Sequence, residues 1–314
     1  IEARVSTAEW SAGRLTQYFG TQGVHPVRDQ LAQIYGLEPS DVRVVTPDVG
    51  GGFGARAFAH SEEILLGAVS KAVGRPVRWA ESRTENLQAM VHGRAQRQHI
   101  RIGGSRDGQV IAFAVQADQD AGAYPHFGAF LPMAGLMMLT GVYNITNAEF
   151  SFASVVTNTM TLAAYRGAGR PEATGAIERA IDYFAAEIGM DPAEVREVNL
   201  LAPFSEGHTT VTGTSYDSGN YPEALESLLG AVGYTELRAD QLHRRDSGES
   251  PWLGIGLSVY VEVTALGTPG EPMSEYGSVE HQADGSVIAT TGSSPHGQGH
   301  YTSWAMLISD EMGI

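Results

Sequence analysis

Glycine clusters at the junctions of regular elements constrain this chain more than any other feature of its sequence. Glycine accounts for 38 of the 314 residues, roughly 12%, where about 7% is usual. The excess is concentrated at residues 50–54 (GGGFG), 166–170 (RGAGR) and 295–300 (PHGQGH). Such clusters indicate backbone that turns tightly or approaches a ligand closely. The sequence therefore predicts three loops of special backbone geometry.

Charge and cysteine content exclude several classes of function. The formal net charge is −16 and the pI is about 5.0, so binding to nucleic acid or to an anionic membrane surface is disfavoured. The chain has no cysteine, which excludes disulfides, cysteine-ligated zinc and iron–sulfur clusters within it. No signal peptide is visible, and we expect a cytoplasmic protein. The uncharged stretch 121–148 is interrupted by Pro125 and Pro132, so we interpret it as buried loop or core and not as a membrane span.

Strand and helix patterns mix without a regular alternation, which predicts an α+β fold. Strands are predicted at Arg14–Phe19, Val42–Val45, Val77–Ala80, 96–103, 109–118, 150–157, 253–263, 276–282 and 287–290. Helices are predicted at 26–35, 61–73 with Ser61 as N-cap, 171–188, from Pro192, 222–232 and 301–311.

The length predicts two domains. Residues 203–221 are rich in Gly, Ser and Thr, so we divide the chain into a domain at 1–205, a linker at 206–221 and a second domain at 222–314. The chain opens on Ile1 without methionine and stops at Ile314, just after a helical pattern. We hypothesise that it is part of a longer polypeptide; a stop codon directly after Ile314 would contradict this.

The loop at 50–55 (GGGFGA) formally satisfies the dinucleotide-binding pattern after a strand. Pro47 and Asp48 separate it from that strand, and the helix at 61 begins too late for a Rossmann unit. An NAD site is therefore disfavoured. A plain tight turn and a loop whose N–H groups face a ligand remain open, with Phe53 as an apolar wall in the second case.

Two further segments also admit two interpretations each. Arg166 and Arg170 flank small residues before a helix N-terminus, which suits an anion or a solvated surface loop. His296 and His300 have the spacing of a metal pair, but the intervening glycines and the lack of a nearby third ligand disfavour zinc. Gln298 between two glycines is the better candidate, as an amide donor to a buried polar ligand.

Taken together, the segments resemble the molybdenum-binding large subunit of the xanthine oxidase, aldehyde oxidase and carbon monoxide dehydrogenase family. Four motifs match in order: 21–25 (TQGVH), 47–54 (PDVGGGFG), 164–173 (AYRGAGRPEA) and 297–299 (GQG). The resemblance implies a molybdenum-cofactor-binding domain of the aldehyde oxidase/xanthine dehydrogenase type, followed by the start of a second such domain.

The resemblance also implies roles for individual residues. Gln22 would approach the oxo ligand of molybdenum. The loop at Gly51, Gly52, Phe53 and Gly54 would present its backbone to the metal's oxygen ligands and to the dithiolene end of the pterin. Further cofactor contacts would come from Arg166, Gly167, Gln298 and Gly299. No protein side chain would bind the metal directly.

For the whole enzyme, the resemblance implies a molybdopterin cytosine dinucleotide and hydroxylation of a carbon with water-derived oxygen. Electrons would leave through 2Fe-2S and FAD on partner subunits or domains, in a dimer of heterotrimers. The family's catalytic glutamate comes from a later part of the subunit, beyond Ile314. A catalytically silent cofactor-binding module is therefore the alternative for the isolated chain.

Departures from the family pattern narrow the range of substrates to be expected. Carbon monoxide dehydrogenases carry a copper-binding cysteine in the loop that reads 166-RGAGR-170 here, so copper-dependent oxidation of CO is disfavoured. Purine hydroxylases carry a glutamate where this chain has Ala57 and a ring-stacking phenylalanine where it has Ala168. These two substrate-channel positions favour an aldehyde or a small N-heterocycle.

Overall fold

The computed structural model describes residues 1–248, 250–263, 267–268, 271–272 and 275–314. The chain forms two compact units that are not continuous in sequence. Unit 1 comprises residues 1–92, 163–166 and 271–314, and unit 2 comprises residues 93–162 and 167–270. The domain boundaries predicted at 205 and 222 stay a prediction. The two compact units are defined by contacts between residues, and they do not correspond to continuous domains along the sequence.

The first part of unit 1 is a four-stranded sheet with two helices. Its strands are β1 (Val5–Ser11), β2 (Arg14–Phe19), β3 (Val42–Val45) and β4 (Val77–Ala80), in the order β3-β2-β1-β4. Its helices are α1 (Val24–Tyr35), α2 (Ser61–Val73) and the short α3 (Arg83–Ala89). Alternate residues of β1 and β2 are buried, among them Ala8 and Leu15. They pack against Leu31 of α1 and Leu66 of α2, and this apolar contact stabilises the sheet.

Unit 2 is built on a three-stranded sheet and a long helix. The strands are β5 (Gln96–Gly104), β6 (Val110–Gly122) and β7 (Asn147–Val156), with β6 antiparallel to β5 and parallel to β7. The helices are α4 (Leu131–Met137), α5 (Arg170–Ile188), α6 (Pro192–Asn199), α7 (Tyr221–Val232) and α8 (Tyr234–Ser247). Apolar residues of α5, such as Ile177 and Ile181, pack with Phe113 and Val115 of β6 in the main core.

The remainder of unit 1 contains the antiparallel pair β10 (Gly277–His281) and β11 (Val287–Thr291), and helix α9 (His300–Met312). The short pair β8 (His208–Thr209) and β9 (Ser215–Tyr216) lies earlier, in unit 2. Each of the two main sheets combines antiparallel and parallel strand pairs with helices, which confirms the predicted α+β class. No helix within the described ranges is long and apolar enough to cross a membrane.

The structure differs from the predicted secondary structure at five points. Residues 253–263 contain no assigned strand, although their side chains alternate between half-buried and exposed. The stretch 121–148, interpreted as buried loop or core, does contribute to the main core, but it also contains α4. Helices α3 and α8 were not predicted. The N-cap of α2 is His60 and not Ser61, and the Glu63 carboxylate accepts a hydrogen bond from the His60 N–H at 2.8 Å.

Candidate functional site

The loop at 50–54 follows β3 and precedes α2, and its backbone is unusual. Gly51 and Gly54 have φ of 94° and 90°, and Phe53 has φ of 53°. A non-glycine residue in this region costs of order 1–3 kcal/mol and is found preferentially at functional sites. A Cβ on Gly51 would lie 2.8 Å from the Phe53 ring. Glycine at 51 therefore permits the loop to hold Phe53, whose side chain remains 40% exposed.

Gln22, at the junction of β2 and α1, is fixed against this loop from two sides. Its Oε1 accepts a hydrogen bond from the Gly54 N–H at 2.7 Å, and its own N–H donates to the Arg56 carbonyl at 3.0 Å. A Cβ on Gly52 would lie 2.6 Å from Gln22 Cγ, so glycine is required at 52. With Oε1 occupied, the remaining polar group of the Gln22 amide is its NH2, which is a hydrogen-bond donor.

The segment at 164–166 lies against the same loop. The Arg166 N–H donates to the Phe53 carbonyl at 3.0 Å, and the Arg166 guanidinium lies 5.9 Å from the centroid of the Phe53 ring. The Tyr165 ring is 6.4 Å from that of Phe53. The structure thus brings together three of the four predicted motifs, Gln22, 52–54 and 164–166, within unit 1.

Residues 167–170 belong to unit 2. Gly167, Ala168 and Gly169 all have positive φ, at 93°, 43° and 91°. The N–H of Gly169, the N-cap of α5, donates to the Glu172 carboxylate at 3.0 Å. Arg170 forms an ion pair with Glu262 at 2.8 Å. The Glu172 carboxylate therefore caps the N-terminus of α5, and the Glu262 carboxylate pairs with Arg170. Neither the helix N-terminus nor Arg170 is thus supported as a binding site for an external anion.

Of the features predicted for the segment at 295–299, the structure shows the special backbone conformation. Gly297 and Gly299 have φ of 111° and 78°, and a Cβ on either would have no heavy atom within 4 Å. The exposed Gln298 accepts from the His296 N–H at 2.7 Å and contacts the His296 ring through Nε2 at 2.9 Å. Gln298 is thus seen with His296 and not with Gln22 or the 50–54 loop. Within the described ranges, no group of three or more His, Cys, Asp and Glu residues is arranged for a metal ion.

Ala57 and Ala168, the predicted substrate-channel positions, are both half-buried. The Ala57 N–H donates to the Gly54 carbonyl at 3.2 Å, which continues the loop into a turn. Ala168 lies in the positive-φ run before α5. Each position lies next to a loop of strained backbone, so a larger side chain at either would alter that loop's surroundings.

Sequence reasoning missed a group of buried charges in unit 1, which come from both sides of the 50–54 loop in the sequence. Arg4 is fully buried and bonds to the buried Glu81 and to Glu62. Arg56 is 2% exposed and lies 3.5 Å from a Glu2 carboxylate oxygen, and burial lowers the pKa of its guanidinium. The available signal was the cation two residues after the GGGFG run, since buried charges require partners.

Burial raises the pKa of Glu63, the N3 residue of α2, to about 7, despite the hydrogen bond from the His60 N–H and the nearby Arg4 and Arg56. Because this pKa is raised in the folded state, its contribution to stability is complete below the ordinary value of 4.5 and is lost as the pH rises through 7. We therefore expect Glu63→Gln to flatten the pH dependence of stability.

Urea unfolding at pH 5 and pH 8 measures this effect. Each pKa unit corresponds to about 1.4 kcal/mol, which sets an upper limit on the order of 3 kcal/mol for the difference between the wild type and Glu63→Gln. The exposed Glu226 serves as the control, and Glu226→Gln should leave the dependence unchanged. An equal fall in stability from pH 5 to pH 8 in the wild type and Glu63→Gln would contradict the prediction.

Comparison with known proteins agrees with the predicted resemblance. A family model described as a molybdopterin cofactor-binding domain matches residues 1–200, and a second model of the same description matches residues 227–314. The carbon monoxide dehydrogenase large chain of Hydrogenophaga pseudoflava is 35% identical over 313 residues, which cover 96% of this chain and 39% of that protein. The nicotine 6-hydroxylase large subunit of Paenarthrobacter nicotinovorans is 33% identical over 317 residues, with 98% and 38% covered.

Solved structures show the same fold. Quinoline 2-oxidoreductase from Pseudomonas putida 86 superposes with a TM-score of 0.90 at 33% identity, covering 98% of this chain and 41% of that one. A Cu,Mo-CO dehydrogenase superposes with a TM-score of 0.90 at 31% identity, covering all of this chain and 41% of the other. The chain spans about two fifths of the length of these relatives. The predicted fold, with two molybdopterin cofactor-binding domains of mixed helix and strand content, is confirmed, and the chain belongs to the molybdopterin cofactor-binding domains of the molybdenum hydroxylase family.

Proposed function

We propose that this chain holds the molybdopterin cofactor of a hydroxylase that oxidises an aldehyde or a small N-heterocycle with oxygen from water. The observation that carries the proposal is the junction in unit 1, where Gln22 accepts from Gly54 and Arg166 donates to Phe53. Residues separated by more than 140 positions in sequence meet there on a loop with positive φ at Gly51, Phe53 and Gly54.

The residues at this junction fit the cofactor chemically. The oxidised pterin and its metal carry oxo, thiolate and phosphate groups, which accept hydrogen bonds and bear negative charge. The Gln22 amide NH2 is a donor, and the exposed Arg166 guanidinium is a cation with five N–H donors. The positive-φ backbone at Gly51 and Gly54 lets the loop close on the Phe53 ring and on Ala164, where an added Cβ would lie 2.8 and 2.7 Å from the nearest atom.

In this proposal, Gln22 donates to an oxygen of the metal centre, and the loop at 51–54 supports the dithiolene end. Arg166 and Gly167 hold the pterin, and Gln298 and Gly299 contact it from the second cofactor-binding domain. When bound, the cofactor supplies two-electron oxidation of a carbon centre. The chain's own contribution is to orient the cofactor and to keep its acceptor oxygens paired with donors.

The substrate is proposed from the two alanines and from the relatives. Ala57 and Ala168 carry neither a carboxylate nor an aromatic ring, which favours small substrates over purines. Relatives named for nicotine, quinoline and aldehyde oxidation all match along most of the chain. A copper-dependent reaction on CO is disfavoured, because 166-RGAGR-170 offers no thiolate for a soft metal such as Cu(I).

The rest of the catalytic apparatus is also proposed. The general base is a glutamate outside these 314 residues, and the cofactor is the cytosine dinucleotide form. The electrons pass to 2Fe-2S and FAD centres on partner subunits or domains, in a dimer of heterotrimers. Relatives named as large chains and as part of a dehydrogenase complex support a multi-subunit enzyme.

Metal analysis of the full-length complex tests the proposal. We expect close to one molybdenum per large subunit, together with CMP released from the cofactor by acid hydrolysis. The isolated 314 residues should show no turnover of aldehydes or N-heterocycles with an artificial electron acceptor, because the base is missing. A clean, folded complex that contains FAD and iron but no molybdenum would refute the proposal.

The two arginines of the 166–170 loop provide a matched pair of variants. We expect Arg166→Ala to lower the molybdenum content of the full-length enzyme at least about fivefold, the effect of losing about 1 kcal/mol or more of charge-assisted hydrogen bonding. Arg170→Ala should have a smaller effect, because Arg170 pairs with Glu262. Metal content is read by mass spectrometry after gel filtration, and equal occupancy in both variants would contradict the assigned role of Arg166.

A further inference from the structure

Arg56 is a buried cation beside the candidate site whose side chain bonds mostly to backbone. It is 2% exposed. Its Nη1 donates to the Gly20 carbonyl at 3.2 Å, and its Nη2 donates to the carbonyls of Glu2 and Ala3 at 3.0 and 3.3 Å. A guanidinium that bonds to three carbonyls from two separate segments fixes those segments relative to each other.

The segments that Arg56 joins are those that carry the candidate site. Gly20 directly follows β2 and leads into the Gln22 turn. Glu2 is bonded in turn to the loop, because its N–H donates to the Gly50 carbonyl at 2.9 Å. A Cβ on Gly20 would lie 2.6 Å from Nη1 of Arg56. The side chain therefore has a close-fitting position between the Gln22 turn and the start of the 50–54 loop.

The backbone of Arg56 acts on the same turn. Its carbonyl accepts from the Thr21 hydroxyl at 2.9 Å and from the Gln22 N–H at 3.0 Å. Gln22 then accepts from the Gly54 N–H through Oε1. The contacts form a closed circuit from Arg56 to Gln22, to Gly54 and back along the chain to Arg56.

The buried position of Arg56 also has an energetic cost. Arg56 Nε is buried without a hydrogen-bond partner among the described residues, which costs about 1–3 kcal/mol. The nearest carboxylate contact is Glu2, 45% exposed at its side chain. An apolar side chain would remove this orphaned N–H but would leave the carbonyls of Gly20, Glu2 and Ala3 without their donor, so the cation serves to join these segments.

We propose that Arg56 is a positioning residue that holds Gln22 and the 50–54 loop in the geometry needed for the cofactor. The inference rests on the proposed function for its purpose, although the positioning itself is a property of these 314 residues. Arg56 does not touch the cofactor in this scheme. It acts through Gln22, whose amide NH2 is directed by the bonds to Arg56 and Gly54.

Hydrogen exchange in the 314-residue chain, without cofactor, tests the positioning. Peptides covering residues 20–23 and 50–57 are followed by mass spectrometry in the wild type, Arg56→Met and Arg56→Lys. We expect Arg56→Met to increase exchange in both peptides by on the order of tenfold, while β1 and β2 stay protected. Arg56→Lys should recover much of the protection, because an ammonium also donates to several carbonyls.

Leu66→Ala is the matched control for loss of stability. Leu66 is 6% exposed, lies in the apolar core between the four-stranded sheet and α2, and does not belong to the 50–54 loop. It should destabilise unit 1 by about 2–5 kcal/mol without selective exchange at 20–23 and 50–57. Equal and general increases in Arg56→Met and Leu66→Ala would overturn the inference, as would Arg56→Lys behaving like Arg56→Met.

A second measurement separates this inference from the proposed function. In the full-length enzyme, Arg56→Met should lower molybdenum content at least fivefold, and Arg56→Lys should restore it. If the wild-type complex holds no molybdenum, the proposed function fails while the exchange result still decides the positioning role. If the wild type holds molybdenum but loop exchange is unchanged in Arg56→Met, the positioning role fails while the proposed function stands.

Discussion

Gly54→Ala is expected to separate the 50–54 loop from the segment at 164–166 and to remove molybdenum from the full-length enzyme. Gly54 has φ of 90°, and a Cβ there would lie 2.7 Å from the Ala164 carbonyl oxygen and 2.9 Å from its carbon. Both atoms belong to backbone, so neither can move aside by a change of rotamer. The neighbouring bond from Arg166 N–H to the Phe53 carbonyl and the bond from Gly54 N–H to Gln22 would be broken together.

Two contributions to the expected loss of stability can be separated. Left-handed backbone costs an alanine about 1–2 kcal/mol relative to glycine. The steric conflict with Ala164 adds about 1–3 kcal/mol, as in other overpacked sites. Gly13→Ala isolates the first contribution, because Gly13 has φ of 81° and no heavy atom within 4 Å of an added Cβ.

Urea unfolding of the 314-residue chain and metal analysis of the full-length enzyme measure the two consequences. We expect Gly54→Ala to be less stable than Gly13→Ala by about 1–3 kcal/mol. Gly54→Ala should also contain less than a tenth of the wild-type molybdenum, whereas Gly13→Ala should keep it. Equal stability of the two variants would show that the contact with Ala164 relaxes freely, and a full molybdenum content in Gly54→Ala would contradict the role of the loop.

The contacts around Gly54 also show how much of the candidate site can be predicted from the sequence. The GGGFG and RGAGR runs were visible as backbone with special geometry, and positive φ at Gly51, Gly54, Gly167 and Gly169 confirms it. Their function came from the resemblance, because the contact between Phe53 and Arg166 joins residues with no local pattern in common. Spacing along the chain cannot predict which loops meet, since that depends on the packing of whole elements.

Local patterns succeeded where the chain itself decides the structure. Strand Val77–Ala80 and helix Ser61–Val73 were predicted with their observed bounds. Helix α2 ends at Gly74, which has φ of 65°. Glycine in this conformation commonly terminates helices, which explains why the end of α2 could be predicted from the sequence. Helix α3 was missed although Ser82 and Glu85 form a capping box, which is a sequence-level signal for a helix start.

Local patterns failed where tertiary packing overrides them. Residues 253–263 alternate between apolar and small or polar residues, as a half-buried strand does. Alternate residues are indeed half-buried, and Val259 and Val261 pack on the core of unit 2. No strand is assigned there, and the Leu257 carbonyl accepts instead from the Arg196 guanidinium at 3.0 Å. The alternation predicted burial correctly and hydrogen bonding wrongly.

Arg196, on α6, is the centre of a buried ion network in unit 2. Its side chain is fully buried and pairs with Glu178 at 2.9 Å and Asp182 at 2.8 Å, both on α5. It also donates to the carbonyls of Pro192 and Leu257. The second oxygen of Glu178 accepts from the Tyr143 hydroxyl at 2.5 Å. The network therefore connects α5, α6 and the 253–263 segment.

We expect Arg196→Met to destabilise the chain by about 3–5 kcal/mol, because it leaves the buried Glu178 without its counter-ion. Most of this cost comes from the orphaned carboxylate. The double variant Arg196→Met/Glu178→Gln should therefore recover more than half of the lost stability. In the single variant, the loss should also shrink as the pH falls from 7 to 5. Burial raises the pKa of Glu178, and removal of Arg196 raises it further, so that the orphaned group takes up a proton in the folded state.

Arg245→Met provides the control for loss of an exposed cation. Arg245 pairs with Asp246, and the two side chains are 66% and 73% exposed, so the expected loss of stability is below about 1 kcal/mol. Urea unfolding of the four proteins at pH 5 and pH 7 measures all of these differences. If Arg196→Met and Arg245→Met cost the same, or if the double variant is no more stable than Arg196→Met, then packing around Arg196 and not charge pairing holds α5 to α6.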